Sequence, residues 1–258
     1  MSKIKAVLFD WAGTTIDYGS CAPAEVFVEI FRRRGVEIAQ AEARGPMGMA
    51  KRAHLSAVLA LPRVAAEWRR KHGSEATDAD VQRMYDEFLP LQREVLTRTT
   101  KVIPGVQEAV AECRRRGLKI GSSTGYTREL MGIVAPLAAS GGYAPDVIVC
   151  PDDVRAGRPA PWLNFRAAEW LDVYPMNGVV VVDDTLVGID AGLHAGATTV
   201  AVSQTGNMLG LTQAEVQLLE PSVLQTRLDA IAAEFLKRGA HFVIPSVAGL
   251  PAVLDRMS

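Results

Sequence analysis

The stretch Lys5–Thr15, which reads KAVLFDWAGTT, decides the fold of this chain. It contains four consecutive apolar residues, Ala6–Phe9, and such a run is typical of a strand buried on both faces of a helix-covered parallel sheet. The run ends at Asp10, and Gly13 begins a turn soon afterwards. Because open α/β sheets bind ligands at the carboxyl ends of their strands, Asp10 is a candidate functional residue. The alternative is that Asp10 only forms a turn or caps a helix.

Beyond residue 98, strand and helix patterns alternate, which is typical of an α/β fold with a doubly wound, Rossmann-like parallel sheet. The predicted strands of the chain are Ala6–Phe9, Leu118–Ser122, Asp146–Val149, Gly178–Val182, Thr198–Val202 and His241–Ile244. The helices predicted around them are Pro104–Arg116, Thr127–Ala139, Ala160–Leu171, Leu186–Ala195, Pro221–Arg238 and Ser246–Arg256. Polar residues follow several strands, so the sequence predicts one site at the carboxyl edge of the sheet.

A block of about eighty residues between the first two strands follows a helical pattern and therefore indicates an insertion. The helices predicted in this block are Ala24–Arg34, Ala41–Arg44, a segment that begins near Met47, Pro62–Lys71 and Asp78–Leu96. The sequence thus predicts a catalytic core of residues 1–20 and 99–258 and an all-helical cap of residues 21–98.

Composition excludes several functional classes. The 258 residues are 48% hydrophobic, and 28 basic residues against 29 acidic ones leave a net charge of -1. Nothing in this balance indicates a nucleic-acid or membrane partner. The first strand follows the amino terminus at once, and no apolar run is long enough to cross a bilayer. Cys21, Cys113 and Cys150 lack metal-binding spacing and indicate reduced thiols, so a cytoplasmic location is expected.

Hydroxyl groups and a cation follow two further strands. Thr124 comes after the strand Leu118–Ser122, where a hydroxyl and free N–H groups at a helix start can bind a phosphoryl oxygen. Its alternative role is that of an ordinary helix N-cap. Arg158 precedes a proline at a predicted helix start, and its planar guanidinium matches the oxygens of a phosphate. Arg155 is the alternative cation, with a solvated charge.

The valine-rich strand Gly178–Val182 ends in two acids, Asp183 and Asp184. Beside Asp10 these carboxylates would repel one another unless a cation lay between them. Hard oxygen ligands favour Mg²⁺ over transition metals, so the sequence predicts a magnesium site. Asp183 and Asp190 are further candidate ligands for this site. For Asp190 the alternative is a position on a helix surface.

The helical insert carries a candidate reactive lysine in the stretch GPMGMAKRAH, residues 45–54. A helix beginning near Met47 would place Met47, Lys51 and His54 at positions i, i+4 and i+7, hence on one face. The ordinary alternatives are a solvated surface lysine and a histidine that only packs inside the insert.

The motif Val7–Thr14 resembles the signature hhhhDxDGT of the haloacid dehalogenase-like hydrolases, in which h is apolar and the first Asp is the nucleophile. One position departs from it, because Ala12 stands where the phosphatases of that family have a second Asp. That Asp protonates the leaving group, so a chain without it is expected to be a poor ester phosphatase. The sequence DWAGTT is similar to the phosphonatase branch, which cleaves a carbon–phosphorus bond.

The resemblance implies a helical cap inserted after the first motif, a homodimer, and phosphonoacetaldehyde as the small-molecule substrate. It also implies the chemical roles of Asp10 as nucleophile, Lys51 as Schiff-base residue, Thr124 and Arg158 as phosphoryl ligands, and Asp10, Asp184 and the Ala12 carbonyl as Mg²⁺ ligands. The residues expected to line the substrate cavity or support the lysine are Met47, His54, Gly125 and Tyr126.

The expected chemistry explains why Ala12 is tolerated. Breaking a carbon–phosphorus bond leaves a carbanion, and an iminium formed with Lys51 would accept its electrons. Carbon then leaves as an enamine, which needs no proton in that step. One alternative is a capped phosphatase or phosphomutase of the same superfamily, against which Ala12 argues. Another is a catalytically inactive binding protein, against which the joint presence of Asp10, Lys51, Arg158 and Asp184 argues.

Overall fold

The computed structural model describes residues 4–257 and contains one six-stranded parallel sheet. Its strands are β1 (Ala6–Phe9), β2 (Lys119–Ser123), β3 (Val147–Val149), β4 (Val179–Asp183), β5 (Thr198–Val202) and β6 (Phe242–Ile244). Their order across the sheet is β3-β2-β1-β4-β5-β6. The doubly wound α/β fold is therefore confirmed, and each predicted strand is present with ends that differ by no more than one residue.

Helices cover the sheet and fill the long insertion after β1. They are α1 (Cys21–Arg33), α2 (Gln40–Arg44), α3 (Lys51–Leu59), α4 (Pro62–His72), α5 (Asp78–Thr99), α6 (Val106–Arg115), α7 (Arg128–Ser140), α8 (Trp162–Trp170), α9 (Leu186–His194), α10 (Gln213–Leu218), α11 (Pro221–Arg238) and α12 (Leu250–Asp255). Short 3-10 helices occur at Pro151–Asp153, Met176–Gly178 and Val247–Gly249. The helix α10 was not predicted. None of the helices in residues 4–257 has the length and apolarity needed to cross a membrane.

The prediction of a helix that begins near Met47 was wrong. Residues 45–50 form turns, and α3 begins at Lys51. Gly48 has a φ of 93°, which a right-handed helix cannot contain, and a Cβ there would lie 2.5 Å from Oγ1 of Thr185. A contact with the sheet core thus fixes this turn. Lys51 and His54 share α3, whereas Met47 lies outside the helix.

The central strand β1 sets the geometry of the site. Phe9 lies in register with Ser122 of β2 on one side and Val182 of β4 on the other. Alternate side chains of β1 pack into two separate apolar clusters, one on each face of the sheet. Continuing the register by one residue brings Asp10 level with Ser123 and Asp183.

The helical insertion has a hydrophobic cluster of its own, formed by buried residues between Val26 and Phe88. Two chain crossings join it to the sheet core and lie side by side. The amide of Asp17 donates to the carbonyl of Lys101 at 3.0 Å, and that of Ile103 donates to Thr15 at 2.9 Å. The insertion is therefore anchored to the core just beyond the end of β1, close to Asp10.

Candidate active site

Three buried carboxylates meet at the carboxyl ends of β1 and β4. Asp10, Asp183 and Asp184 each present an oxygen within 4.8 Å of the others. The backbone of Gly13 packs directly against this cluster. A Cβ at Gly13 would lie only 2.2 Å from Oδ2 of Asp184, so no side chain fits there. Gly13 has a φ of 86°, so its lack of a side chain serves both the turn and this close approach.

Fixed donors orient the two carboxylates after β4. The Asp184 oxygens accept hydrogen bonds from the Thr14 hydroxyl at 3.0 Å and from the Asn207 amide at 2.7 Å. Oδ1 of Asp183 accepts from the amide and the hydroxyl of Thr185 at 2.9 and 2.7 Å. Asp190 lies elsewhere and pairs with Arg238 at 2.7 Å, which matches the helix-surface alternative.

Arg158 is the cation of this cluster, and its side chain is only 2% exposed. It donates to Oδ1 of Asp10 at 2.7 Å and lies 3.2 Å from Oδ2 of Asp183. Its second nitrogen donates to the carbonyl and the hydroxyl of Ser123, each at 2.8 Å. Burial opposes its charge, yet attraction to Asp183 and Asp10 raises the pKa of Arg158 above its ordinary value. Arg155 instead stacks on the ring of Trp162.

The cluster holds excess negative charge. Burial raises the pKa of Asp10 to about 7, although the neighbouring Arg158 opposes the shift. Burial likewise raises the pKa of Asp184 well above its ordinary value, and repulsion by Asp10 and Asp183 adds to the shift. A bound cation would relieve this repulsion. Within residues 4–257 nothing donates a hydrogen bond to the Ala12 carbonyl, so that oxygen can join the carboxylates as a ligand. The donor set therefore fits a metal ion.

The loop after β2 closes another side of the site. The Thr124 hydroxyl accepts a hydrogen bond from the Tyr126 amide at 3.0 Å. A Cβ at Gly125 would lie 2.7 Å from the carbonyl oxygen of Met49, so glycine allows the loop to touch the insertion. The buried hydroxyl of Tyr126 has no hydrogen-bond partner in the described part of the chain. The loop thus leaves one buried polar group unpaired beside the insertion.

Lys51, the first residue of α3, is 4% exposed. Its Nζ lies 4.8 Å from the ring centroid of Tyr126 and 5.7 Å from that of Phe27. Burial lowers the pKa of Lys51 to about 8, with the Asp10 charge opposing the shift. The ion pairs found between residues 4 and 257 do not include Lys51. Near neutral pH its amine is therefore neutral in a far larger fraction of molecules than that of an ordinary lysine.

A cavity of about 20 Å³, roughly the space of one water molecule, lies between the insertion and the sheet. The residues that line it are Asp10, Ala12, Ser20, Pro23, Met47, Gly48, Lys51, Thr124, Gly125, Tyr126 and Thr185. A larger crevice of about 680 Å³ adjoins it and shares Met47 and Thr185. The structure thus brings the lysine and the aspartate from distant parts of the sequence to one small cavity.

His54 does not line this cavity. Its ring stacks on Phe27 at 3.6 Å between centroids, and its Nε2–H donates to the carbonyl of Ala43 at 2.8 Å. Burial lowers its pKa to about 3, and the nearby Lys51 charge adds to the shift. His54 is therefore neutral and packs behind Phe27, one of the two rings that flank the lysine.

Four residues of the site were not singled out from the sequence: Thr14, Arg44, Ser123 and Asn207. Ser123 directly follows the predicted strand Leu118–Ser122, and Thr14 lies in the turn that follows Asp10, so the position of each residue in the sequence could have indicated it. Asn207 reaches Asp184 through its backbone, and Arg44 contacts mostly carbonyl groups. Neither kind of contact leaves a pattern in the sequence.

Comparisons with known proteins agree with this geometry. Residues 4–196 match the family model described as haloacid dehalogenase-like hydrolase. A phosphonoacetaldehyde hydrolase from Bacillus anthracis is 48% identical over 255 residues, which cover 99% of this chain and 97% of that protein. The corresponding enzyme from Bacillus cytotoxicus is 49% identical over 98% of this chain and 96% of its own length.

A solved structure supports the same assignment. The phosphonoacetaldehyde hydrolase-like protein from Oleispira antarctica superimposes with a TM-score of 0.97 and 39% identity. The match covers 99% of this chain and 92% of that one. The chain therefore belongs to the phosphonoacetaldehyde hydrolase family of the haloacid dehalogenase-like hydrolases.

Proposed function

We propose that this chain hydrolyses the carbon–phosphorus bond of phosphonoacetaldehyde to acetaldehyde and phosphate. The observation that carries the proposal is a buried lysine amine of lowered pKa, Lys51, in the same small cavity as the carboxylate of Asp10. An ester phosphatase of this fold needs a general acid where Ala12 stands, and it has no use for such an amine. The relatives named for this activity match over nearly the whole chain.

The first chemical step joins Lys51 to the substrate. Its neutral amine attacks the aldehyde carbon, and the resulting carbinolamine takes up one proton and loses water, which leaves an iminium in which nitrogen carries the positive charge. The rings of Tyr126 and Phe27 flank the amine and accommodate that charge through their faces. The aldehyde oxygen leaves as water, and the carbon skeleton is now attached to an electron sink.

The second step transfers the phosphoryl group to Asp10. A carboxylate oxygen attacks phosphorus, the carbon–phosphorus bond breaks, and its electron pair moves into the iminium to give an enamine. Arg158 already holds Oδ1 of Asp10 at 2.7 Å, so it can orient the nucleophile and offset phosphoryl charge. Protonation of the enamine carbon and hydrolysis of the imine release acetaldehyde. Hydrolysis of the aspartyl phosphate then restores Asp10 and yields phosphate.

Mg²⁺ is the metal we propose for the carboxylate cluster, with Asp10, Asp184 and the Ala12 carbonyl as its protein ligands. All three offer hard oxygen donors, and the cluster carries more negative charge than Arg158 balances. When bound, the ion would supply Lewis-acid stabilisation of phosphoryl charge. Asp183 remains a supporting residue that holds Arg158 and Thr185.

We also propose that residues 21–98 act as a cap over residues 1–20 and 99–258. The cavity of about 20 Å³ is too small for the substrate, so entry requires the cap to move away from the sheet. A homodimer is proposed as well, and the exposed aromatic residues Phe165 and Trp170 on α8 make that surface a candidate contact.

We propose a cytoplasmic location for the protein. The free thiols of Cys21, Cys113 and Cys150 agree with a reducing compartment.

The direct test is acetaldehyde release from phosphonoacetaldehyde, measured with Mg²⁺ and with excess chelator. We expect stoichiometric acetaldehyde and phosphate in the first case and strongly reduced turnover in the second. Turnover of para-nitrophenyl phosphate in parallel measures the alternative phosphatase activity. Rapid hydrolysis of this ester without cleavage of the phosphonate would replace our proposal by that alternative.

The variant Asp184→Asn is expected to weaken Mg²⁺ binding and to lower turnover by about 10²-fold or more, because a charged ligand becomes neutral. Titration with Mg²⁺ in a calorimeter measures the metal affinity, and an activity assay over the same range of Mg²⁺ concentrations measures turnover. Asp190→Asn is the matched control, since it makes the same chemical change at a carboxylate paired with Arg238 away from the cluster. Equal metal affinity in the two variants would remove Asp184 from the metal site.

The variant Ala12→Asp restores the family's second aspartate but is not expected to give an efficient phosphatase. Lys51 and Met47 of the insertion line the cavity beside Asp10, so when the cap closes they occupy space that the larger leaving group of a sugar phosphate would need. Hydrolysis rates for a panel of sugar phosphates provide the measurement. A rate for any of them that approaches phosphonoacetaldehyde turnover would show that the cap does not select the substrate.

The reactivity of Lys51 should depend on pH. Only the neutral amine attacks an aldehyde, and burial lowers the pKa of Lys51 to about 8 from the ordinary 10.5. The rate of imine formation is therefore expected to rise with pH and to level off above about 8. Borohydride trapping with acetaldehyde at a series of pH values gives this profile. A rate that still rises steeply near the ordinary lysine pKa would contradict the proposed environment.

A further inference from the structure

Arg44, at the end of α2, joins the helical insertion to the sheet core through neutral groups. Its guanidinium donates to the carbonyls of Gly19 at 2.8 Å and Gly210 at 3.1 Å, and to Oδ1 of Asn207 at 3.2 Å. The described residues include no carboxylate in an ion pair with Arg44. Hydrogen bonds from a charged donor to such acceptors are strong, so this half-buried side chain is a substantial cross-link.

Asn207 connects this cross-link to the carboxylate cluster. Its side-chain Nδ2 donates back to the carbonyl of Arg44 at 3.1 Å, while its backbone amide donates to Oδ2 of Asp184 at 2.7 Å. The preceding Gly206 approaches so closely that a Cβ there would lie 2.6 Å from Cβ of Asp184. The backbone at 206–207 therefore touches Asp184 directly and Arg44 through one side chain.

Arg44 also begins the turn that positions the lysine. Six residues lie between it and Lys51, and this turn contacts the core at Gly48 and Met49. Gly48 abuts Thr185, which in turn holds Asp183. The turn is thus held at Arg44 by Asn207 and at Gly48 by Thr185, and these two residues also hold Asp184 and Asp183.

We infer that Arg44 is a positioning residue that, through Asn207, couples docking of the Lys51 segment to the orientation of Asp184. This inference rests on the proposed function, in which Lys51 and the carboxylate cluster serve one reaction. Docking of the cap forms the Arg44–Asn207 hydrogen bonds, which fix the backbone amide that holds Asp184. Conversely, an ordered Asp184 holds Asn207 in place to receive Arg44. Metal binding and imine formation should therefore support each other.

The chain offers a matched control at a second contact between the insertion and the core. Arg93 of α5 pairs with Glu129 of α7 at 3.1 Å, but both side chains are more than half exposed and lie outside the site. Arg93→Met removes an arginine that crosses the same boundary. An exposed pair of this kind contributes little, so the control should change neither metal binding nor lysine reactivity.

The test compares Arg44→Met, Arg44→Lys, Asn207→Ala, the Arg44→Met/Asn207→Ala double variant and Arg93→Met. Three properties are measured: Mg²⁺ affinity by calorimetry without substrate, the rate of borohydride trapping of acetaldehyde on Lys51 by peptide mass spectrometry with and without Mg²⁺, and thermal stability. Loss of charge-assisted hydrogen bonds in Arg44→Met should weaken Mg²⁺ binding and slow trapping, each by about 10- to 100-fold. Asn207→Ala should shift both in the same direction, and the double variant should be little worse than either.

Arg44→Lys keeps the charge but offers fewer donors, so its Mg²⁺ affinity and trapping rate should lie between those of the wild type and of Arg44→Met. If Arg44→Met does not fold, Arg44→Lys and Asn207→Ala together provide the test. Slower trapping with unchanged Mg²⁺ affinity would overturn the coupling. Lower thermal stability with both properties unchanged would reduce Arg44 to a structural contact. Absence of trapping in the wild type would instead refute the proposed function, and with it the role given to Lys51 here.

Discussion

Lys51→Arg is expected to abolish carbon–phosphorus bond cleavage, with a loss of about 10⁴-fold or more, because the covalent step disappears entirely. Arginine keeps a positive charge at the position but cannot supply a primary amine for an imine. Wild-type enzyme incubated with acetaldehyde and borohydride should gain one ethyl group on the peptide that contains Lys51, and Lys51→Arg should gain none. Both turnover and the mass of the trapped peptide are measured.

The control for this variant is another lysine of the chain. Lys101 and Lys119 lie outside the cavity, and Nζ of Lys119 donates to the carbonyl of Leu171. Lys101→Arg should therefore keep full activity and normal trapping at Lys51. Because a planar guanidinium replaces a compact ammonium at a site that is only 4% exposed, thermal unfolding of Lys51→Arg is recorded as well. Substantial turnover in Lys51→Arg, or an adduct on Lys101 or Lys119, would exclude the iminium at Lys51.

The sheet and its strand ends could be predicted because local sequence determines them. Four apolar residues before Asp10 and a valine run before Asp183 are buried on both faces, and the parallel arrangement then brings the two strand ends together. The same logic placed Thr124 and Arg158 near the site. Local patterns were sufficient there because each strand carries its own signal.

Contacts between distant segments could not be predicted in this way. The turn at Gly48 fits a helical pattern locally, and only its contact with Thr185 shows why the helix begins later. Likewise, the sequence shows two adjacent acids after β4. Which contacts each acid makes depends on Arg158 beside Asp183 and on Asn207 beside Asp184. Such pairings between remote residues carry no periodicity or spacing that a single sequence reveals.

Asp10→Asn should separate the two halves of the proposed reaction. An amide oxygen is a poor nucleophile toward phosphorus, so phosphate release should fall by about 10⁴-fold or more. Without Mg²⁺, imine formation needs only the amine and the cavity, and both remain in this variant. Acetaldehyde trapping on Lys51 should therefore persist while turnover of phosphonoacetaldehyde is lost. Phosphate release and trapped-peptide mass, measured on the same preparation, give the two readings together.

The charge of Asp10 also makes a prediction about the lysine itself. This carboxylate opposes the effect of burial on the pKa of Lys51, so its neutralisation should lower that pKa below about 8. At neutral pH a larger fraction of the amine is then uncharged, so without Mg²⁺ trapping in Asp10→Asn should be at least as fast as in the wild type. Loss of trapping together with turnover would mean that Asp10 also acts in imine formation or maintains the cavity. Retained phosphate release would assign the nucleophile to another carboxylate, with Asp183, which shares Arg158 with Asp10, as the candidate.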